Sequence, residues 1–404
     1  MKEDINAVTD RGESTARMEP LLLGETSRHR GPLTDRAMDL VSRSAGFRRS
    51  LPEGVRAGLA DLVRSMNCYY SNLIEGHDTH PVEIERALRG DYSSDPRKRD
   101  LQLEARAHFE VQAWIDGGGL EGRAALVAGL VEIHRRFCEH LPEELLKVED
   151  PRAGERLDVV PGALRDRDVM VGRHLAVSPG AVPRFLDRFE SVYARLGRTD
   201  AILSVAAAHH RLLWIHPFLD GNGRVARLMS HAMLLEQLDS GGAWSVARGL
   251  ARRVTDYRAH LAGCDLPRRN DLDGRGALSE EALADFTRFF LETCIDQVEF
   301  MEALVQPERL RTRILIWAEE EMRVGALPAK AGRVLEALLY RGELPRGEVA
   351  GLLGTTPRHA RRIVAALADR GALVSDGHRA PLRLGFPAAL AGQWMPGLFP
   401  EQAA

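Results

Sequence analysis

Helical spacing of apolar residues constrains the fold of this chain more than any other feature. Between residues 150 and 180 the spacing breaks down into Pro, Gly and short apolar runs, and only residues 168–172 fit a brief extended strand. Elsewhere, apolar positions recur as expected for amphipathic helices at 54–75, 81–90, 100–116, 120–141, 181–197, 200–215, 223–238, 245–263 and 279–305. The sequence therefore predicts an all-α fold with one short β-hairpin.

The chain divides into four parts by this pattern. Residues 1–50 carry many charges, Ser and Gly with little periodicity, and are predicted to be a flexible arm. Residues 51–120 form an N-terminal helical region, and residues 121–305 form the central domain. Residues 326–390 read as helices around a Gly-Thr-Thr-Pro turn followed by two short strands, which resembles a small winged helix-turn-helix domain.

Composition excludes several classes of protein. The net charge of −3 gives no overall excess of basic residues for nucleic-acid binding. The four cysteines are far apart and form no CxxC pair, so we expect reduced thiols rather than disulfides or a zinc site. The polar N-terminus lacks the apolar core of a secretory signal, and no run approaches 18 apolar residues. These features predict a cytoplasmic protein without a membrane span.

One segment, residues 215–227, combines groups suited to phosphate chemistry. It reads IHPFLDGNGRVAR and joins two predicted helices. Glycines allow the backbone to turn and to approach a ligand, and the N-terminus of the second helix suits a phosphate. Arg224 and Arg227 share a helix face and can grip a di- or triphosphate, while Asp220 is a hard oxygen ligand for Mg²⁺. His216 can accept a proton near neutral pH.

This segment resembles the Fic family signature, HPFx[DE]GNGRxxR, at every defined position, and the resemblance extends over roughly residues 55–300. It implies a Fic fold, with a helical core and a β-hairpin flap, and a protein adenylyltransferase that uses ATP and Mg²⁺. By that resemblance His216 is the catalytic base and Asp220 holds the metal. The implied ATP-binding residues are Gly221, Asn222, Gly223, Arg224 and Arg227.

A second motif, Ser71-Asn72-Leu73-Ile74-Glu75-Gly76, resembles the inhibitory helix [ST]xxxE[GN] of Fic proteins. Ser71 and Glu75 are four residues apart and therefore share one helix face. The resemblance implies that Glu75 pairs with Arg227 and leaves bound ATP in a posture unsuited to in-line attack.

Three further segments have weaker signals. The resemblance implies a target-binding flap before the motif, and the best candidate is Asp168, Val169, Met170, Val171 and Gly172. The resemblance also implies that Tyr257 lies near adenine, with a core tyrosine as the alternative. The Asp271–Gly274 stretch lacks the remaining ligands of a calcium loop, so calcium is rejected.

The predicted function is transfer of AMP to a Ser, Thr or Tyr hydroxyl of a target protein and of the chain itself, at a site such as residues 69–71. Two alternatives stay open: an ATP-sensing DNA-binding regulator with a Fic core, and an enzyme that removes AMP with Glu75 orienting water. The sequence also leaves open a homodimer and contact between the C-terminal domain and DNA. A basic cluster there comprises Arg358, His359, Arg361, Arg362 and Arg379, with Thr356.

Overall fold

The protein is mostly helical in a computed structural model that describes residues 8–149, 154–238, 240 and 242–400. The helices of the central region are α1 (Arg30–Arg49), α2 (Glu53–Ile74), α3 (Pro81–Leu88), α4 (Pro96–Asp116), α5 (Val127–Glu139), α6 (Val182–Tyr193), α7 (Arg198–Ile215), α8 (Asn222–Gln237), α9 (Val246–Arg252), α10 (Val254–Cys264), α11 (Glu280–Leu304) and α12 (Pro307–Arg323). The predicted all-α class is confirmed.

Two short hairpins interrupt the helices. Strands β1 (Lys147–Glu149) and β2 (Arg156–Asp158) pair antiparallel, and so do β3 (Met170–Val171) and β4 (His174–Leu175). Only the second hairpin was predicted. The first has one half-buried position in each strand, which leaves no alternation long enough to recognise in the sequence.

Helix α7 lies at the centre of the fold. Almost every residue in it is buried, as expected for a helix that is covered on all sides. Helix α8 packs along it after the loop at residues 216–221, and α11 and α1 cover its other faces. The predicted phosphate-binding loop is therefore anchored between two buried helices.

The prediction that residues 1–50 form a flexible arm is wrong for residues 8–50. Residues 1–7 lie outside the described residues. Met18 and Leu21 are buried, and α1 spans Arg30–Arg49. The buried positions of α1 are Leu33, Ala37, Leu40, Ser44 and Phe47. These are spaced by four and three residues, which is a helical stripe masked in the sequence by the charges between them.

Two other boundaries differ from the predictions. The helix predicted at 245–263 is broken at Arg253, whose φ of −118° and ψ of 36° are not helical. The helix predicted at 120–141 begins only at Val127, because tight turns occupy the preceding residues.

The C-terminal module contains α13 (Ala331–Arg341), β5 (Glu343–Leu344), α14 (Val349–Leu353), α15 (Pro357–Asp369), β6 (Leu373–Val374), β7 (Leu382–Leu384) and α16 (Ala388–Trp394). Its three strands pair in the order β5-β7-β6. Helices α12 and α16, which the sequence did not indicate, pack together through Trp317 and Trp394, with ring centroids 5.1 Å apart. The classification as a winged helix-turn-helix stays a prediction.

The C-terminal module rests directly on α2. A Cβ atom at Gly54 would lie 2.0 Å from the carbonyl oxygen of Gly342, and one at Gly58 would lie 2.3 Å from that of Leu384. Further along α2, the hydroxyl of Tyr70 donates to the carbonyl of Leu398 at 2.8 Å. Glycine thus permits a backbone approach that any other residue would prevent.

Candidate functional site: a histidine loop before a helix N-terminus

His216 ends α7 in the left-handed conformation, with φ of 52° and ψ of 63°. Its Nδ1 lies 3.3 Å from the carbonyl oxygen of Leu213. A carbonyl only accepts, so Nδ1 carries the proton and Nε2 has the free lone pair. Burial lowers the pKa of His216 to about 4, with Arg165 and His174 acting in the same direction. At neutral pH the ring is therefore uncharged and able to accept a proton at Nε2.

Asn222 closes the loop that follows His216. Its side-chain oxygen accepts from the backbone N–H of Phe218 at 3.0 Å, and its amide nitrogen donates to the carbonyl of Phe218 at 2.8 Å. Asn222 is 2% exposed. Because these bonds to the backbone of Phe218 occupy its side chain, Asn222 shapes the loop. The sequence had predicted instead that Asn222 contacts phosphate directly.

The N-terminus of α8 points its first N–H groups at this loop. Gly221 precedes the helix with φ of 79°, and among the described residues no side chain caps the helix start. Uncapped N–H groups at the positive end of a helix form an anion site. Asp220, exposed at the mouth of the loop, is 4.0 Å from Arg224.

Arg224 is held flat beside the loop. Its guanidinium lies over the ring of Phe137, 4.8 Å from the centroid, and 3.9 Å from a carboxylate oxygen of Glu104. Glu104 also pairs with His77 at 2.6 Å, and that hydrogen bond raises the pKa of His77. Glu104 was not identified from the sequence, since an isolated Glu in a helix carries no signal.

Arg227 is joined to the end of α2. Its Nη2 lies 2.5 Å from Oε1 of Glu75, and its Nε donates to the hydroxyl of Ser71 at 2.8 Å. A Cβ atom at Gly223 would lie 2.4 Å from the same Glu75 oxygen. The pairing expected between Glu75 and Arg227 is thus present in the geometry, and Gly223 leaves the space for it.

Glu75 stays ionised in this contact. Burial alone would raise the pKa of its carboxyl group, but attraction to Arg227 and the hydrogen bond from that guanidinium outweigh burial and lower the pKa. Arg224 and His77 add to the lowering. The pair is consequently a charge-assisted bond between a carboxylate and a guanidinium.

Tyr257 lies in the core below Arg227. It is 2% exposed, and its hydroxyl is 2.6 Å from Nε2 of His209. The adenine contact predicted for Tyr257 finds no support in this packing, which matches the alternative of a core tyrosine.

The flap residues Asp168, Val169, Met170, Val171 and Gly172 lie in and before the hairpin β3–β4. Among the described residues, the two strands pair only with each other, and Met170 and Val171 are 58% and 48% exposed. An unpaired edge with apolar side chains is a template for strand addition. Asp168 is held at the base of the hairpin by Arg11 at 2.8 Å.

A cleft of about 980 Å³ opens between this hairpin and α10. Its walls include Val171, His174, Trp214, Arg258 and Leu261. Arg258 also donates to the carbonyl of Ile74 at 2.9 Å, next to Glu75. Arg258 therefore connects the wall of the cleft to the end of α2, where Glu75 lies.

Arg165 and His134 support the loop and were missed in the sequence. His134 stacks on Phe218 with ring centroids 4.0 Å apart, and its Nδ1 accepts from the N–H of Gly162. Arg165 binds backbone carbonyls around His216. Contacts to backbone atoms leave no motif, so only the position of His134 beside the apolar face of α5 hinted at its role.

In the described part of the chain, no group of three or more His, Cys, Asp or Glu side chains could hold a metal ion by itself. None of the described helices has the length and apolar character needed to cross a membrane.

These features define a mostly helical protein in which a glycine-containing loop with a left-handed histidine joins two buried helices. A sequence profile described as the Fic/DOC family matches residues 124–234. Residues 124–234 are therefore similar to the Fic/DOC family, in agreement with the resemblance drawn from residues 215–227.

The chain is 27% identical over 169 residues to the protein adenylyltransferase Fic of Drosophila erecta, and 28% identical over 171 residues to that of Drosophila willistoni. Each match covers 41% of this chain and 31% of the relative, so the chain spans about a third of those proteins. Among solved structures, a Fic family protein of Desulfovibrio desulfuricans superposes with a TM-score of 0.52 and 16% identity, covering 90% of this chain and 98% of that one. At 16% identity, this similarity shows the fold alone.

Proposed function

We propose that this protein is a Fic-type adenylyltransferase that moves AMP from ATP to a Ser, Thr or Tyr hydroxyl of a target protein and of itself. The observation that carries the proposal is the geometry of His216. Its Nδ1 is engaged by Leu213, and its free Nε2 lies one loop before the uncapped N-terminus of α8. A base and an anion site are therefore adjacent.

In the proposed reaction the target hydroxyl oxygen attacks the α-phosphorus of ATP. A new P–O bond forms to the hydroxyl oxygen, and the bond between the α-phosphorus and the bridging oxygen breaks, so that pyrophosphate leaves with both bonding electrons. Nε2 of His216 takes the hydroxyl proton. The N–H groups of α8 and the guanidinium groups of Arg224 and Arg227 stabilise the phosphate charge.

Mg²⁺ fits this site through Asp220. The carboxylate is exposed beside the loop, and Mg²⁺ is commonly held by one or two carboxylates together with substrate phosphates and water. The lack of a three-ligand cluster among the described residues suits a metal that arrives with the nucleotide. The ion would neutralise phosphate charge.

The cleft between the flap and α10 is the proposed place for the nucleoside of ATP. It is large enough for a nucleotide, and its walls combine apolar residues such as Trp214 and Leu261 with charged ones such as Arg258. This assignment replaces the adenine contact first predicted for Tyr257. The exposed edge of β3 is the proposed binding place for the backbone of the target, through residues 168–172.

We propose further that Glu75 and Ser71 inhibit the enzyme. While Glu75 occupies Arg227, that arginine is withheld from the γ-phosphate, and ATP binds without the alignment needed for in-line attack. A hydrogen bond between charged groups is worth about 1.5–3 kcal/mol, so release would raise the rate about ten- to a hundredfold.

The test is intact mass after incubation with Mg-ATP for the wild type, Glu75→Gly, and Glu75→Gly with His216→Ala. The single variant is expected to gain the mass of AMP faster than the wild type, and the double variant to gain none. Glu121→Gly, in an exposed turn, is the control for loss of a carboxylate. Equal or slower labelling of a folded, ATP-saturated Glu75→Gly protein would refute the inhibitory role.

Self-modification needs an accessible hydroxyl. The site suggested at residues 69–71 is wrong in this fold, because Tyr69, Tyr70 and Ser71 are 4%, 2% and 1% exposed. The labelled residue should instead be a surface hydroxyl, identified by peptide mass. Incubating the labelled protein with unlabelled wild type then tests the alternative reaction, removal of AMP.

DNA binding by the C-terminal module is a second candidate function. Arg358 and Arg362 are exposed at the start of α15 and, among the described residues, form no ion pair. Such a surface can contact phosphates. Duplex binding that weakens steeply with salt and is lost in Arg358→Glu/Arg362→Glu would support it, and no binding at low salt would exclude it.

A further inference from the structure

Arg165 connects the flap to the turn that carries His216. Its Nε donates to the carbonyl of His216 at 2.7 Å, and its Nη2 lies 3.3 Å from that of Ile215. The same guanidinium donates to the carbonyls of Arg167 at 2.7 Å and Val177 at 2.5 Å. Residues 167 and 177 flank the hairpin β3–β4, so a single side chain holds both ends of the flap and the histidine turn.

The backbone of Arg165 adds to the connection. Its N–H donates to the carbonyl of Pro217 at 2.9 Å, so three successive carbonyls, from Ile215 to Pro217, bind this one residue. The left-handed conformation of His216 is unusual for a residue with a side chain and needs such external support.

In the part of the chain that the structure describes, the guanidinium of Arg165 hydrogen-bonds to carbonyl oxygens alone. The residue is 4% exposed and, within the described ranges, hydrogen-bonds to no carboxylate. Burial lowers the pKa of Arg165 to about 10, which leaves it charged at neutral pH. Asp168 and Glu13 attract this charge from a distance, but a buried cation with no hydrogen-bonded carboxylate is costly, so the carbonyl contacts are needed to stabilise it.

We propose that Arg165 is a positioning residue that fixes the flap and His216 as one unit, so that ordering of the flap and aiming of the base occur together. Only the expected change in kcat rests on the proposed adenylyl transfer. Without Arg165, ATP would still bind at α8, but the hydroxyl held along the flap and Nε2 of His216 would lose their mutual register.

Arg11 provides a matched comparison on the outer side of the flap. It makes two bonds of 2.8 Å to Asp168, one of 3.3 Å to the carbonyl of Ala176 and one of 3.1 Å to Glu13, and none of these bonds reaches His216. Loss of Arg11 should therefore loosen the flap base alone, whereas loss of Arg165 should loosen the flap and the histidine turn.

The experiment compares Arg165→Gln, Arg165→Lys, Arg11→Gln and the unrelated surface control Arg198→Gln, each in the Glu75→Gly background. Hydrogen exchange measures how fast the backbone amides of residues 168–176 in the flap exchange. NMR of ¹⁵N-labelled histidine gives the tautomer of His216. Kinetics and calorimetry give kcat and the Kd for ATP. Arg165→Lys keeps the charge but cannot bridge the same carbonyls, and it serves if the Gln variant does not fold.

Both Arg165 variants should speed flap exchange, mix the His216 tautomers and lower kcat about tenfold to a hundredfold. Their Kd for ATP should stay within about threefold of the parent. Arg11→Gln should speed flap exchange with the tautomer unchanged, and Arg198→Gln should match the parent.

The proposal is overturned if an Arg165 variant leaves the tautomer and flap exchange as in the parent, or if kcat stays within about twofold. It is also overturned if exchange rises over the whole molecule and ATP binding falls in proportion to kcat, because that pattern means a purely structural role. Should the Glu75→Gly parent transfer no AMP, adenylyl transfer fails, while exchange and tautomer still decide the role of Arg165.

Discussion

The chemistry of His216 depends on which of its nitrogens is free. Leu213 accepts from Nδ1, so Nε2 is left as the proton acceptor. We expect His216→Ala, in the Glu75→Gly background, to lose transfer by about 10²–10⁴-fold, because a general base contributes that much. ATP binding, measured by calorimetry, should stay within about tenfold, since the imidazole does not hold the phosphates. Undiminished transfer would contradict the mechanism.

Asp220 is the residue to which divalent-ion dependence should be traced. It lies exposed next to the loop, with Arg224 4.0 Å away. We expect transfer to require Mg²⁺ or Mn²⁺, and Asp220→Ala to lower activity and raise the ion concentration needed for half-maximal rate. A titration of rate against Mg²⁺ measures both. Full activity of the unaltered protein in excess chelator would refute the metal requirement.

At the residue scale, the sequence identified the groups whose type and spacing carry the chemistry. His216, Arg227 and Glu75 could be placed because each belongs to a short motif with fixed spacing, at residues 215–227 and 71–76. Arg165 could not, because its partners are backbone carbonyls, which every residue has. Tyr257 was misassigned for a related reason: burial depends on packing against distant helices.

Among the elements, α2 makes two separate contacts, one near each end of the helix. Its C-terminal turn carries Ser71 toward Arg227, and its first half is packed against the C-terminal module through Gly54 and Gly58. The amphipathic pattern of α2 predicted the helix. It did not predict that Gly58 must be glycine, because that requirement comes from the backbone of Leu384, which is distant in the sequence.

The contrast between two helical glycines tests this packing. Gly58→Ala should destabilise the fold by about 1–3 kcal/mol, because the new Cβ would lie 2.3 Å from the carbonyl oxygen of Leu384. Gly46→Ala in α1, where nothing lies within 4 Å, should stabilise by about 0.5–1 kcal/mol. Thermal unfolding measures both, and a Gly58→Ala variant as stable as Gly46→Ala would exclude the close contact.

For the molecule as a whole, helical periodicity predicts the fold class. It does not predict that residues 8–50 are folded against the rest of the protein. That segment is held by partners far away in the chain, such as the pair between Arg184 and Asp10 and the bonds of Glu13 to Ser178. Long-range contacts of this kind cannot be read from local composition, which is why a charged, weakly periodic segment looked unstructured.

Buried neutral histidines should control the acid stability of the entire protein. Burial lowers the pKa values of His134 and His210 to about 4 and of His108 and His209 to about 3. Their unfolded pKa is about 6.5, so below that pH the unfolded chain binds protons that the folded chain refuses. Stability should therefore fall as the pH drops from about 6.5 toward about 4.

Each such histidine costs about 1.4 kcal/mol per pH unit within that window, because it withholds one proton from the folded state. His77 acts in the opposite direction, since Glu104 raises its pKa and its protonation favours the folded state below about 6.5. The one histidine with a raised pKa does not offset the four histidines with lowered pKa values. We expect the Tm to fall steadily between pH 7 and pH 5, and His209→Gln, which removes one titrating site, to reduce that slope. A Tm that is constant or rises toward pH 5 would mean that these histidines are protonated in the folded protein, and the neutral state inferred for the buried core of the site would be wrong.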